Sequence, residues 1–151
     1  MIEVRDGNAG DIAAIMPIMA DAFAPNFGEQ WTAAQCISAL SLPCSSLLLA
    51  YFDGVLAGFA LSRWVLNEEE LLMIGVNKPH QQNGLGSFII RHIIARGRNN
   101  NRTELFLEVR SNNTARQFYY HLGFQEVGIR KNYYMVSDGQ SIDAITMQLI
   151  L

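Results

Sequence analysis

The sequence is short of cysteine, of long apolar runs and of positive charge. Cys36 and Cys44 are its two cysteines, too few for a disulfide scaffold, so a reduced, cytoplasmic compartment is expected. No apolar run reaches the roughly 18 residues of a membrane span, so no membrane partner is expected. Met1-Ile2-Glu3-Val4-Arg5 reads as an opening strand, so no cleavable leader is expected. Eleven Lys and Arg against 14 Asp and Glu give a net charge of −3, which argues against nucleic acid as a partner. There is no internal repeat, low-complexity tract or linker. His80, His92 and His121 are scattered and, with the cysteines, show no metal-ligand spacing, so no metal is expected. No Ser/His/Asp or Cys/His pairing stands out, and a buried structural cysteine is commoner than an acylated one.

What is present is a core. Half of the 151 residues are apolar and 17% are charged, enough for one domain and too short for two. Charge is unevenly spread. Residues 1–70 hold nine carboxylates and two bases, a balance of −7; residues 71–151 hold five carboxylates and nine bases, a balance of +4. That asymmetry suits an anionic ligand on one side and a cationic substrate on the other, although ordinary solvated surface produces it too.

Hydrophobic periodicity and turn chemistry divide the chain into a string of elements. Asn8, with Asp11 three residues on, caps a helix carrying Ile12, Ile15, Met16, Met19 and Phe23, with a kink expected at Pro17. Pro25-Asn26-Phe27-Gly28 breaks that pattern, and Thr32 with Gln35 caps a short helix through Leu40. Ser46–Phe52 and Val55–Leu66 form a hairpin about Asp53-Gly54, and Glu70–Val76 is a further strand. A Gly-containing loop, Gln81–Gly86, opens a helix with Leu85, Phe88, Ile89, Ile93 and Ile94 on its apolar face, ending near Gly97. Glu104–Arg110 is a strand, and Thr114–Leu122 is a helix stopped by Gly123. Gln125–Tyr134 and Ile142–Leu151 are strands about Asp138-Gly139. The order β-α-α-β-β-β-α-β-α-β-β implies an α/β sandwich with a mixed, mostly antiparallel sheet.

The loop before the third helix has the makings of an anion site. Free amides and the helix dipole favour negative charge there, and Gly84 and Gly86 lack the Cβ atoms that would block close approach. Two glycines also suit a plain connector. The loop is neither a dinucleotide fingerprint nor a triphosphate loop, since it lacks the spacing of the one and the Gly-Lys-Ser/Thr of the other.

Gln81-x-x-Gly84-x-Gly86 after an apolar strand resembles the acyl-CoA motif of the GCN5-related N-acetyltransferases (GNAT). Asn112-x-x-Ala115-x-x-Phe118-Tyr119 followed by Leu122-Gly123-Phe124 agrees. The resemblance implies a single N-acetyltransferase domain over residues 1–151, with a GNAT-like sheet and helices on both faces, using acetyl-CoA as co-substrate. It places the pyrophosphate on the amides of Gln82, Asn83, Gly84, Leu85, Gly86 and Ser87. It places the pantetheine arm along Ile74, Gly75 and Val76, with Asn112 bonding that arm. Many family members carry Arg where this chain has Gln82 and Asn83. Phosphate binding here would lean on backbone amides, with Arg91 or Lys78 as supporting charges.

Acetyl transfer to an amine needs a proton acceptor for the amine and a donor for the leaving thiolate. Glu108 lies in the apolar run Leu105-Phe106-Leu107-Glu108-Val109, where desolvation would suit it to the first task, although a partnership with Arg110 or another base would suit it equally. Glu70 is the other candidate, or else one of three surface acids, Glu68-Glu69-Glu70; the residues alone favour Glu108 slightly and leave the role of Glu70 undecided. Tyr119 is by residue type a packing tyrosine with a wet tip, and only its family position points to protonation of the CoA sulfur.

Ile129-Arg130-Lys131-Asn132-Tyr133-Tyr134, with Asp138-Gly139 and Asp143-Ala144, is similar to the protein N-terminal acetyltransferases, above all the bacterial ribosomal-protein-alanine type. There the double-tyrosine hairpin and the loop between the first two helices clasp an N-terminal peptide. Carried over, Tyr133 and Tyr134 face Phe27 and Trp31 across the acceptor slot, with Glu108 as base and Tyr119 as acid. The chain is one residue shorter between Arg110 and Asn112. Aromatics also favour strands for packing alone. The expected activity is acetyl transfer to a protein α-amine, such as the N-terminal alanine of a ribosomal protein. The alternatives are a small-amine (antibiotic or polyamine) acetyltransferase and a non-catalytic acyl-CoA-binding module.

Overall fold

The structure is a computed structural model that describes residues 1–23, 30–135 and 139–151. Its strands are β1 (Ile2–Gly7), β2 (Ser45–Phe52), β3 (Val55–Val65), β4 (Glu68–Val76), β5 (Glu104–Arg110), β6 (Gln125–Met135) and β7 (Ser141–Ile150). Its helices are α1 (Ile12–Ala22), α2 (Ala33–Ser41), α3 (Leu85–Asn99) and α4 (Ala115–His121). The strands form one seven-stranded sheet in the order β1-β2-β3-β4-β5-β7-β6. Every pairing is antiparallel except β4 with β5, the pair that α3 crosses over.

Alternation along the central strands sends side chains to two cores. Leu47, Leu49, Phe59 and Leu61 pack under Ile12, Ile15 and Met19 of α1 and Cys36 of α2. Leu48, Ala50, Leu105 and Leu107 pack under Leu85, Ile89 and Ile93 of α3 and Tyr119 of α4. Both expected capping boxes form: Asn8 with Asp11 ahead of α1, through a 3-10 turn, and Thr32 with Gln35 ahead of α2. Helix α1 runs through Pro17.

Helix α3 differs from its expected face and end. Ile90 is fully buried while Phe88 is 42% exposed, because the sheet-facing stripe follows Leu85, Ile89, Ile90 and Ile93. Gly97 does not stop the helix. It lies inside it, where an added Cβ would come within 2.9 Å of Leu151, so the glycine makes room for the chain end. The turn falls instead at Asn101, with φ +60°.

Of the three acids read as a surface run, Glu69 is fully buried. Its carboxylate accepts from Arg96 of α3 and from Arg102, each at 2.9 Å, and from Ser62 of β3 at 2.7 Å. Arg102 also stacks on Trp64, 4.0 Å from the ring centroid. Two guanidiniums and a hydroxyl offset the cost of burying that charge. They also tie the far end of α3 to the place where β4 and β5 pair.

Candidate active site

The site arises from a fork in the sheet. β4 and β5 pair only over Glu68–Glu70 and Glu104–Phe106. Directly beyond, the register between β3 and β4 shifts: Ser62 pairs with Leu71 and Leu61 with Met73, leaving Leu72 as an extra residue. Leu72 and Met73 therefore both face the α1/α2 core, and the added twist carries β4 away from β5. No ladder joins the two strands past Phe106 among the described residues, so Met73–Val76 presents a strand edge to the gap.

A groove of about 810 Å³ runs from this edge to the start of α3. Ile74, Gly75 and Val76 form one wall, and Gln82, Gly84, Gly86 and Ser87 form the end. Gly84 adopts φ +75°, a left-handed conformation that costs glycine little. The first bond of α3 is from the Phe88 amide to the Gly84 carbonyl, so the amides of Leu85, Gly86 and Ser87 lack intrahelical acceptors. The Gln81 side-chain amide donates to the Val76 carbonyl at 3.0 Å and pins the loop to β4. Lys78 is the cation among the residues lining the groove. Arg91 is exposed on α3 and does not line it.

Several expected binders have other places. Leu85 is fully buried in the core, leaving only its backbone for a ligand, and Asn83 is exposed outside the lining. A Cβ on Gly75 would meet the Phe59 ring at 2.6 Å, so core packing requires that glycine. Asn112 is exposed and lines neither the groove nor the next cavity, while Asn113 lines both.

On the α1/α2 side of the fork lies a smaller cavity of about 250 Å³, containing Glu108, Trp31, Tyr134 and Tyr119. Tyr119 lines this cavity and the groove alike, and so stands where they meet. It is 6% exposed and sits edge-on to Phe118 and Phe124. The expected desolvation of Glu108 by its strand is not the environment found. Leu105, Leu107 and Val109 point to the opposite core, and the Glu108 side chain remains 25% exposed. Its Oε2 pairs with Arg130 at 3.2 Å, and its Oε1 accepts from the Tyr134 hydroxyl at 3.4 Å. The Arg110 guanidinium lies 4.3 Å from the centre of the Tyr134 ring.

Tyr134 is aimed by a bulge in β6. Arg130 pairs with Ala144 and Tyr134 with Ile142, so three residues oppose one. Asn132, at φ +55°, donates its amide to the Asp143 carboxylate at 2.9 Å and accepts from Ser141 at 2.7 Å. Tyr133 does not line the cavity; it is 51% exposed, with Arg130 over its ring at 4.7 Å. Phe27 lies outside the described residues, as does Asp138. Glu70 pairs with Arg63 at 3.1 Å and lines a neighbouring depression, not the Glu108 cavity.

Sequence reasoning gave no role to Arg130 or to Asn113. The signal for Arg130 was its place four residues before Tyr134 in a motif already singled out. The Cys36 thiol is pushed up by burial, as suits a packing residue. Among the described residues, no group of three His, Cys, Asp or Glu side chains is placed to hold a metal.

Residues 12–124 match the sequence profile of the acetyltransferase (GNAT) family. The chain is 41% identical over 98 residues to the ribosomal protein bS18-alanine N-acetyltransferase of Escherichia coli, a match covering 64% of this chain and 66% of that one. It is 35% identical over 127 residues to N-alpha-acetyltransferase RimI of Mycobacterium tuberculosis, covering 80% of this chain and 75% of that one. The crystal structure of the ribosomal-protein-S18-alanine N-acetyltransferase from Escherichia coli superposes with a TM-score of 0.88 at 32% identity, over 99% of this chain and 94% of that one.

Proposed function

The chain belongs to the acetyltransferase (GNAT) family, and from that premise we propose that it moves acetyl from acetyl-CoA to the N-terminal α-amine of a protein. The acceptor on this reading is the N-terminal alanine of a ribosomal protein, modified in the cytoplasm by residues 1–151 acting as one domain. The names of the similar proteins from Escherichia coli and Mycobacterium tuberculosis support it. The observation that carries it is the position of Tyr119, between a groove ending at free helix amides and a cavity containing a carboxylate.

The groove fits acetyl-CoA by the chemistry of its donors. The open edge of β4 offers amide and carbonyl groups to an amide-bearing arm, and the start of α3 with Lys78 offers an anion site. When bound, acetyl-CoA supplies the acyl group as an activated thioester. Glu108 would accept a proton from the acceptor ammonium, directly or through water, which frees the amine lone pair to form the C–N bond at the thioester carbonyl as the C–S bond breaks. Tyr119 donates its hydroxyl proton at the leaving sulfur. Tyr134 and Arg130 fix the direction of the Glu108 carboxylate, and Trp31 walls the acceptor side. Glu70, paired with Arg63 in another depression, is the weaker candidate for the base.

The test uses a basic peptide with an N-terminal Ala and internal lysines. Tandem mass spectrometry should find acetyl on the α-amine alone. Glu108→Gln should lower turnover by roughly 10²-fold or more with acetyl-CoA affinity nearly unchanged, and Glu70→Gln by far less. Acetyl only on lysine side chains, or only on a small polyamine offered in parallel, would shift the reading to small or internal amines.

A further inference from the structure

The Glu108 cavity does not end at Trp31. A second depression, about 470 Å³, continues along the same face of the sheet and shares Trp31 and Leu72 with it. Its floor is Phe106, two residues before Glu108 on β5 and therefore on the same face. Leu42 and Pro43, just past α2, form one wall; Trp64 and Val65, at the end of β3, form the other. Leu42 is 57% exposed and Val65 70% exposed, so these apolar walls stand open to solvent. Glu68, Glu70 and Arg63 edge the depression, two carboxylates against one guanidinium.

We propose that this depression binds the acceptor polypeptide beyond its first residue, taking a large apolar side chain at the third position followed by a basic one. The inference rests on the reading of the chain as a protein N-terminal acetyltransferase, and it deepens that reading by naming the acceptor sequence.

Spacing selects the third residue. Phe106 lies two strand residues from Glu108, or about 6.7 Å. An extended acceptor with its amine at Glu108 advances by the same rise, so its third residue arrives over Phe106. Extended residues one and three point to the same side. The first side chain thus enters the small cavity and the third enters the larger depression. The uneven volumes assign a small residue to position one and a bulky one to position three. The net acidic edge then faces the residue that follows, which favours a cation there. A small amine would use none of these contacts.

The experiment compares Ala-Gly-Phe-Arg-Gly-Gly with Ala-Gly-Gly-Arg-Gly-Gly, which differ only at position three. The intact chain should acetylate the first with a kcat/KM higher by roughly ten- to a hundredfold, the range that burying a phenyl side chain permits. In the double variant Leu42→Ser, Val65→Ser, that ratio should fall several-fold. Both peptides see the same enzyme preparation, so any loss of folded protein cancels from the ratio. A wild-type ratio within about twofold of one, or a ratio unmoved by the double variant, would overturn the proposal while leaving α-amine acetylation standing. If neither peptide gains an N-terminal acetyl group while a polyamine does, the role given to the depression and the protein-acceptor reading beneath it fall together.

Discussion

At the scale of single residues, the carboxylates around the fork differ in what neutralises them. Glu69 is buried with two guanidiniums, so it serves the frame. Glu70 is spent on Arg63. Glu108 keeps a partly open cavity position, with Arg130 on one oxygen and Tyr134 on the other. Glu126 of β6 works one step removed, through Arg116 on α4, the helix that carries Tyr119. A hydrogen bond from Tyr120, with Arg116 second, holds the Glu126 carboxyl below the usual carboxylate value. A lowered folded value means that this stabilisation is complete above the unfolded carboxylate value, about 4.3, and disappears as pH falls through the folded one. Glu126→Gln should therefore have a lower urea midpoint than wild type at pH 7. The difference should be small for so open a pair, and the midpoints should draw together as pH falls below about 4.3. A gap that widened with acid would contradict the assignment.

At the scale of elements, two bulges shape the site. The extra residue Leu72 opens the fork, and the Asn132–Asp143 bond supports the bulge that turns Tyr134 toward Glu108. The loop before α3 depends on close packing as much as on conformational freedom. A Cβ on Gly86 would lie 3.3 Å from the Phe118 ring, so α3 and α4 approach one another across that glycine. Gly86→Leu should drive Phe118 outward and place a side chain in the groove. We expect acetyl-CoA affinity, measured by calorimetry, to fall at least tenfold, about 1.4 kcal/mol, with the helical circular dichroism retained. Unchanged affinity would remove the loop from the cofactor site.

At the scale of the molecule, the charge asymmetry acquires a geometry. The acidic first half supplies α1 and α2, whose flanking residues Phe23, Gln30 and Trp31 line the acceptor cavity, and it supplies Glu68 and Glu70 to the neighbouring depression. The basic second half supplies α3 and α4, which border the proposed phosphate end. A basic acceptor should then be drawn in by the long-range field, which salt screens, while the enclosed chemistry is little affected. Raising salt from roughly 50 to 300 mM should increase KM for a basic N-terminal peptide several-fold and leave kcat nearly constant. A matching fall in kcat would place the charge effect in the chemical step instead.

The elements were legible in the sequence because their signals are local. Capping boxes at Asn8 and Thr32, the Asp53-Gly54 turn, period-two strands and the glycines at 84 and 123 each act within a few residues. The pairing of Glu108 and Tyr119 was legible only through resemblance, since by residue type each had an ordinary structural reading. What the chain's local signals left undecided was decided by contacts between distant segments. Burial of Glu69 depends on Arg96 and Arg102, 27 and 33 residues away. The fate of Gly97 depends on Leu151. The environment of Glu108 depends on Arg130 and Tyr134 reaching across from β6. Local sequence thus determined which segments are helix, strand and turn. The tertiary structure decided which polar side chains meet, because a bulge of one residue reverses the face that every later side chain presents.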